Sequence, residues 1–118
     1  MYGEDPERDH RIDYEVIVDA YGDEEVNMGW YYYFAETLQF PFDAVVKLPL
    51  RGGKTEEKKV KIVEVEKKED KRIRLGITEG SSQRLQFISP ENIVSVKTSD
   101  ENLEVLNDWL YWNRLPLL

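Results

Sequence analysis

Five carboxylates stand close together near the front of this 118-residue chain. They are Glu15, Asp19, Asp23, Glu24 and Glu25, all within eleven residues, with Gly22 among them. Carboxylates are hard oxygen donors, and a turn at a glycine presents backbone carbonyls beside them. A cation of calcium's type takes about six to eight such oxygens in flexible geometry. Acids crowded without a counter-ion repel one another, and a divalent cation relieves the repulsion. The five residues are therefore candidate metal ligands. Glu15 and Asp19 are four apart and share a face whether the segment is helix or strand. A plainer use also exists. Asp23, Glu24 and Glu25 at a helix start would cap free N–H groups and oppose the helix dipole, at about 0.3–1 kcal/mol each.

Other chemistries lack their residues. An EF-hand loop needs Gly at its sixth position and Glu at its twelfth. Counted from Asp19, those positions hold Glu24 and Trp30, and a count from Asp100 also lacks the glycine. There is no cysteine, so disulfides, thiolate zinc sites and a Cys nucleophile are excluded. His10 is the one histidine and reads as a surface residue of a polar arm. No phosphate-binding glycine loop, GxSxG or HExxH is present. A carboxylate pair for glycoside cleavage carries no information in a chain with 24 acids. Binding rather than catalysis is expected. No apolar run is long enough to span a membrane and no secretory signal opens the chain, so a cytoplasmic protein without membrane contact is expected.

Charge is unevenly placed within the net −8. Residues 1–46 hold 12 acids and 2 bases, residues 47–98 hold 8 acids and 13 bases, and residues 99–118 hold 4 acids and 1 base. The uneven charge fits internal complementarity between the front and the middle; the sharper reading is that the acidic front collects cations, and it disfavours nucleic acid, whose phosphates need Lys and Arg. The basic middle supports a rival reading: a protein- or RNA-binding small-barrel module that needs no metal. The partner expected from these residues is a hard cation, with any protein partner left open.

The elements that must position the acids follow from length and periodicity. A chain of this length makes one domain, 1–118. Residues 1–11 are polar, carry Gly and Pro, and read as a loose arm. Residues 12–42 form the acidic and aromatic segment. Its first part, 12–21, fits either a strand, through β-branched Val16–Val18, or a helix. A helix from Asp23 to about Leu38 follows, with Val26, Trp30, Tyr33, Phe34 and Leu38 as its buried stripe. Gly29 within it costs about 1 kcal/mol against Ala and marks a close backbone approach or a kink. Of Tyr31, Tyr32 and Tyr33, at least one must face solvent. Phe40, held before Pro41, ends the helix. Residues 43–98 carry short strands at 44–48, 59–66, 73–77, 85–88 and 93–96, with a bulge near Val63 and a charged hairpin loop at 67–71. That texture predicts a small SH3-like β-barrel of four to five strands, giving an α+β fold flanked by N-terminal and C-terminal helices. Residues 99–118 form the last helix and tail, capped at Ser99 and Asp100, with Leu103, Leu106 and Leu110 buried.

Several of these residues together resemble a known signature. Val18–Tyr21 (Val-Asp-Ala-Tyr), Glu24–Glu25, Met28–Tyr33 (Met-Gly-Trp-Tyr-Tyr-Tyr), Leu38 and Phe40–Phe42 (Phe-Pro-Phe) resemble the CcbP-type prokaryotic calcium-binding proteins. Asp108–Trp112 (Asp-Trp-Leu-Tyr-Trp) is similar to that family's closing helix. The resemblance implies a compact domain that binds Ca2+ through acids without EF-hands, as an intracellular buffer or sequestering protein. It matches Asp19, Glu24 and Glu25 to acidic positions of the signature, while Glu15 and Asp23 are added from spacing alone. Asp43, Asp100, Glu101 and Asp108 are held in reserve as ligands.

Overall fold

A computed structural model describes residues 4–68, 70–82 and 84–118. Among the described residues, three α-helices and five strands follow in chain order. They are α1 (Pro6–Arg11), α2 (Asp23–Thr37), β1 (Phe42–Pro49), β2 (Thr55–Val65), β3 (Leu75–Thr78), β4 (Gln86–Ile88), β5 (Ile93–Lys97) and α3 (Asp100–Trp112). A π-helical turn, Ile12–Val16, follows directly on α1.

The strands form one antiparallel sheet in the order β4-β3-β2-β1-β5. Along β1, buried Phe42, Ala44 and Val46 alternate with less buried neighbours, as a sheet with one covered face requires. The register of β2 on β3 slips between Ile62 and Glu64, so the expected bulge is present. The expected barrel is not closed. β4 and β5 are the two edges, and β3 and β4 are only 4 and 3 residues long. The apolar face is covered instead by helices. Trp30 and Phe34 of α2, and Val105, Leu106, Trp109 and Leu110 of α3, join the inward residues of the sheet in one core.

α2 matches the expected helix closely. Trp30, Phe34 and Leu38 are buried, Val26 and Tyr33 pack against the core, and Tyr32 faces solvent. Its N-cap residue is Gly22, and the Asp23 side chain makes no cap hydrogen bond. The Trp30 indole N–H is the one buried side-chain polar atom among the described residues without a partner, a loss of about 1–3 kcal/mol. In α3, Ser99 Oγ accepts from the Asn102 N–H at 3.2 Å and caps the helix. Asn102 itself is buried and spans to the end of α2. Its Oδ1 accepts from the Gln39 N–H at 2.9 Å, and its Nδ2 donates to the Gln39 carbonyl and to Thr98 Oγ1.

Two expectations about the front of the chain are corrected. The arm over 1–11 is not loose where it is described, from residue 4 onward. Asp5 Oδ1 caps α1 by accepting from the Arg8 N–H, and Pro6 starts the helix with its φ already suited. The helix is then fastened to α3. Arg8 and Arg11 both donate to the carboxylate of Asp108, and Tyr111 Oη accepts the backbone N–H groups of Glu4 and Asp5 while donating to Asp9 Oδ1. Residues 12–21 are neither a regular α-helix nor a strand. Ile12 and Val16 must both enter the core, and the wide turn puts them there. Its closing bond runs from the Ile17 N–H to the Ile12 carbonyl at 3.0 Å.

Candidate cation site

The π-helical turn and α2 meet at Gly29. A Cβ at this position would overlap the carbonyl oxygen of Val16, so only glycine allows the close approach that the sequence suggested. Beyond Val16 the chain bends away. The Ala20 N–H donates to the Ile17 carbonyl at 3.0 Å, and Asp19 takes a left-handed backbone with φ 59°. Aspartate tolerates that conformation better than most residues. The bend and α2 enclose an open cleft of about 460 Å³.

Three of the five expected acids line it: Glu15, Asp19 and Glu25. Glu36 lines it too and was not foreseen. It lies eleven residues after Glu25, which is close to three turns at about 3.6 residues per turn, so that spacing was the signal that could have found it. Tyr32 and Val18, both exposed, stand on the rim. The structure does not bring Asp23 or Glu24 to this cleft. Asp23 borders a different hollow beside Trp30, and Glu24 is exposed on the outer side of α2.

The cleft is anionic, with Lys67 Nζ 6.0 Å over the ring of Tyr32, one of its lining residues. Residues 12–36 contain seven acids and no Lys or Arg. Among the described residues, Glu15, Asp19, Asp23, Glu24 and Glu25 form no ion pair. Glu25 Oε2 accepts only a long bond, 3.3 Å, from the Tyr21 N–H. As placed, no group of three or more acids or histidines among the described residues stands close enough to hold a metal ion. The donor set is oxygen alone, which suits calcium or magnesium and not zinc or copper.

The reserve acids are differently employed. Asp108 has a fully buried side chain whose two oxygens accept from Arg8, from Arg11 Nε at 2.8 Å and Nη2 at 2.7 Å, and from Tyr33 Oη at 2.6 Å. Burial, and then the bond to Asp108, pushes the Tyr33 phenol far above its usual range. The same carboxylate pushes the Arg11 guanidinium further up. Asp108 is thus an internal tie rather than a free ligand. Asp43 accepts from Lys61 Nζ at 2.9 Å, which holds its carboxyl below the usual range. Asp100 and Glu101 sit exposed in the first turn of α3. His10 is exposed and rests against the Tyr14 ring at 4.4 Å.

An α+β domain with a helix-flanked cleft of unpaired carboxylates has the makings of a cation-binding module. Residues 10–113 match the family Calci_bind_CcbP, described as calcium binding, and the chain belongs to that CcbP family. Two solved structures are similar to it. The crystal structure of Anabaena CcbP has 34% sequence identity and a TM-score of 0.84, over 92% of this chain and 90% of that one. A calcium-binding protein in the calcium-binding form has 34% identity and a TM-score of 0.80, over 94% and 92%. A search of the curated proteins found no match.

Proposed function

We propose that this protein binds Ca2+ through carboxylates of the cleft between the π-helical turn and α2. The observation that carries the reading is that Glu15, Asp19 and Glu25 line one cleft and, among the described residues, form no ion pair. Asp23 and Glu24 extend the same negative field from the first turn of α2, and Glu36 extends it from the far end. Calcium accepts backbone carbonyls and waters beside carboxylates, so these acids need not fill the whole coordination shell. A bound divalent ion would supply charge neutralisation, and the protein's own part is to hold the acids apart until then. Membership of a calcium-binding family supports the same reading. The site is of non-EF-hand type, and the role is binding and buffering rather than catalysis. A cytoplasmic setting belongs to the same proposal and is tested by fractionating cells that express the chain.

The test is a calorimetric titration of chelator-stripped protein with CaCl2, repeated with MgCl2. Saturable Ca2+ binding with weaker Mg2+ binding is expected. Asp19→Asn and Glu25→Gln should each weaken it by about tenfold or more, a change of ~1.4 kcal/mol. Calcium at about a hundred times its Kd should add ~2.7 kcal/mol to folding stability. Unchanged binding in both variants would move the ligands away from the cleft. No heat and no thermal stabilisation at millimolar Ca2+ would overturn the calcium reading. Salt-dependent RNA binding that persists in EDTA would then favour the metal-free module.

A further inference from the structure

The acids of the cleft do not complete a metal site by themselves, since among the described residues no three of them stand close enough together. A cation of calcium's type held there needs further oxygens, and backbone carbonyls commonly supplement carboxylates around it. The end of the π-helical turn carries such an oxygen. The helical run that starts at Pro6 ends with this turn at Val16, and the last carbonyls of a helix lack partners within it. Among the described residues no hydrogen bond reaches the Val16 carbonyl. An unbonded carbonyl in a packed segment is uncommon and asks for a reason. The Val16 side chain belongs to the core, which leaves the residue's backbone to line the cleft. Its carbonyl oxygen stands against Gly29, also a lining residue, where any side chain at that position would begin. The surrounding charge has one sign. The turn carries Asp13 and Glu15 and no base, at the negative end of a helix, where a cation stabilises and an acid does not. Lys and Arg often answer the last carbonyls of a helix, and residues 12–36 contain neither.

We propose that the Val16 carbonyl oxygen is a backbone ligand of the cation, and that Gly29 is the positioning residue that leaves room for it. The inference rests on the calcium reading above and deepens it by naming an oxygen that no side chain supplies. A neutral carbonyl adds a donor without adding to the repulsion among Glu15, Asp19 and Glu25. The turn already fixes it, so it needs no side-chain ordering on binding. A methyl group at residue 29 would push it aside.

Val16–Ile17 is the single Val-Ile pair of the chain. Valine labelled with 13C at the carbonyl and isoleucine labelled with 15N therefore isolate one carbonyl signal, that of Val16. The signal is followed while the chelator-stripped whole chain is titrated with CaCl2, beside the calorimetric titration. A saturable shift with the same midpoint as the heat, reversed by EDTA, is expected. The Val94 carbonyl, on edge strand β5 and isolated in the same way through the single Val-Ser pair, should stay still. Gly29→Ala should weaken Ca2+ binding about tenfold, and if it does not fold the wild-type signal decides alone. Saturable heat with an unmoved Val16 signal would overturn the proposal and leave the carboxylate reading standing. So would a folded Gly29→Ala of unchanged affinity, or an equal shift at Val94, which marks a change throughout the fold and not a ligand. Absence of heat in the wild-type chain would remove both readings together.

Discussion

Replacing Asp108 by Asn changes a few atoms and should cost much of the stability margin. The side chain is 0% exposed, and it accepts from three residues on two elements: Arg8 and Arg11 of α1, and Tyr33 of α2. Asparagine fits the space but removes the charge and turns one acceptor into a donor facing other donors. Breaking a buried charge pair from one side costs about 3–5 kcal/mol. The lower end applies here. The Arg8 and Arg11 side chains are 15% and 24% exposed, and Arg11 keeps a 2.8 Å contact to Glu104, so both cations recover some solvation. A loss of about 3 kcal/mol is expected from a margin of about 5–15 kcal/mol. At roughly 4 °C per kcal/mol for a domain of this size, the midpoint should fall by about 12 °C. Calorimetry and urea unfolding read this directly. Tyr33→Phe removes one charge-assisted bond and should cost about 1.5 kcal/mol. The double variant should lose about as much as Asp108→Asn alone, because both changes act on one network. A loss under about 1 kcal/mol for Asp108→Asn, or a fully additive double variant, would refute the account of Asp108 as an internal tie.

Gly29→Ala should destabilise by more than the ~1 kcal/mol that alanine gains as a helix former, since its Cβ meets the Val16 carbonyl. A more stable variant by thermal unfolding would contradict that contact. Asn102→Ala should cost about 2–3 kcal/mol, because Gln39 and Thr98 lose their buried partner together, and urea unfolding measures it. Stability should also fall on the alkaline side. The Tyr33 phenol is raised in the folded state, so its contribution is whole below the unfolded value near pH 10 and is lost as pH climbs above it. Urea midpoints taken from pH 7 to 11 should show that fall, and Tyr33→Phe should flatten it.

Short-range patterns carried much of this fold into view. The spacing of Trp30, Phe34 and Leu38 marked α2, and Pro41 marked its end. The slip in alternation near Val63 marked the bulge where β2 meets β3. What stayed hidden depends on long-range partners. Asp108 reads in sequence as one more acid of a helix, because Arg8 and Arg11 lie about a hundred positions away. The same separation hid the docking of α1, whose polar composition fits an arm. The β-branched run Val16–Val18 favoured a strand locally, but burial of Ile12 and Val16 against α2 decided for a π-helical turn. At the candidate site, Glu15 and Asp19 line one cleft, but through the π-helical turn and the bend after it rather than through a shared helix or strand face. Asp23, Glu24 and Glu25 could not all join them, because successive helical residues turn about 100° apart.

Asp19 answers to two masters. Its carboxylate faces the cleft, and its backbone sits at φ 59°, where a β-branched or bulky residue would be strained. Glutamate would keep the charge and lose the backbone fit, while glycine would keep the backbone and lose the charge. Asparagine alone preserves the shape and the turn while neutralising the oxygen. The position therefore has almost no route by which it can drift: a single-step exchange to most other residues breaks one demand or both. If the cleft holds the cation as proposed, a designer tuning affinity would leave residue 19 fixed and vary Glu36, which lines the cleft from regular helix.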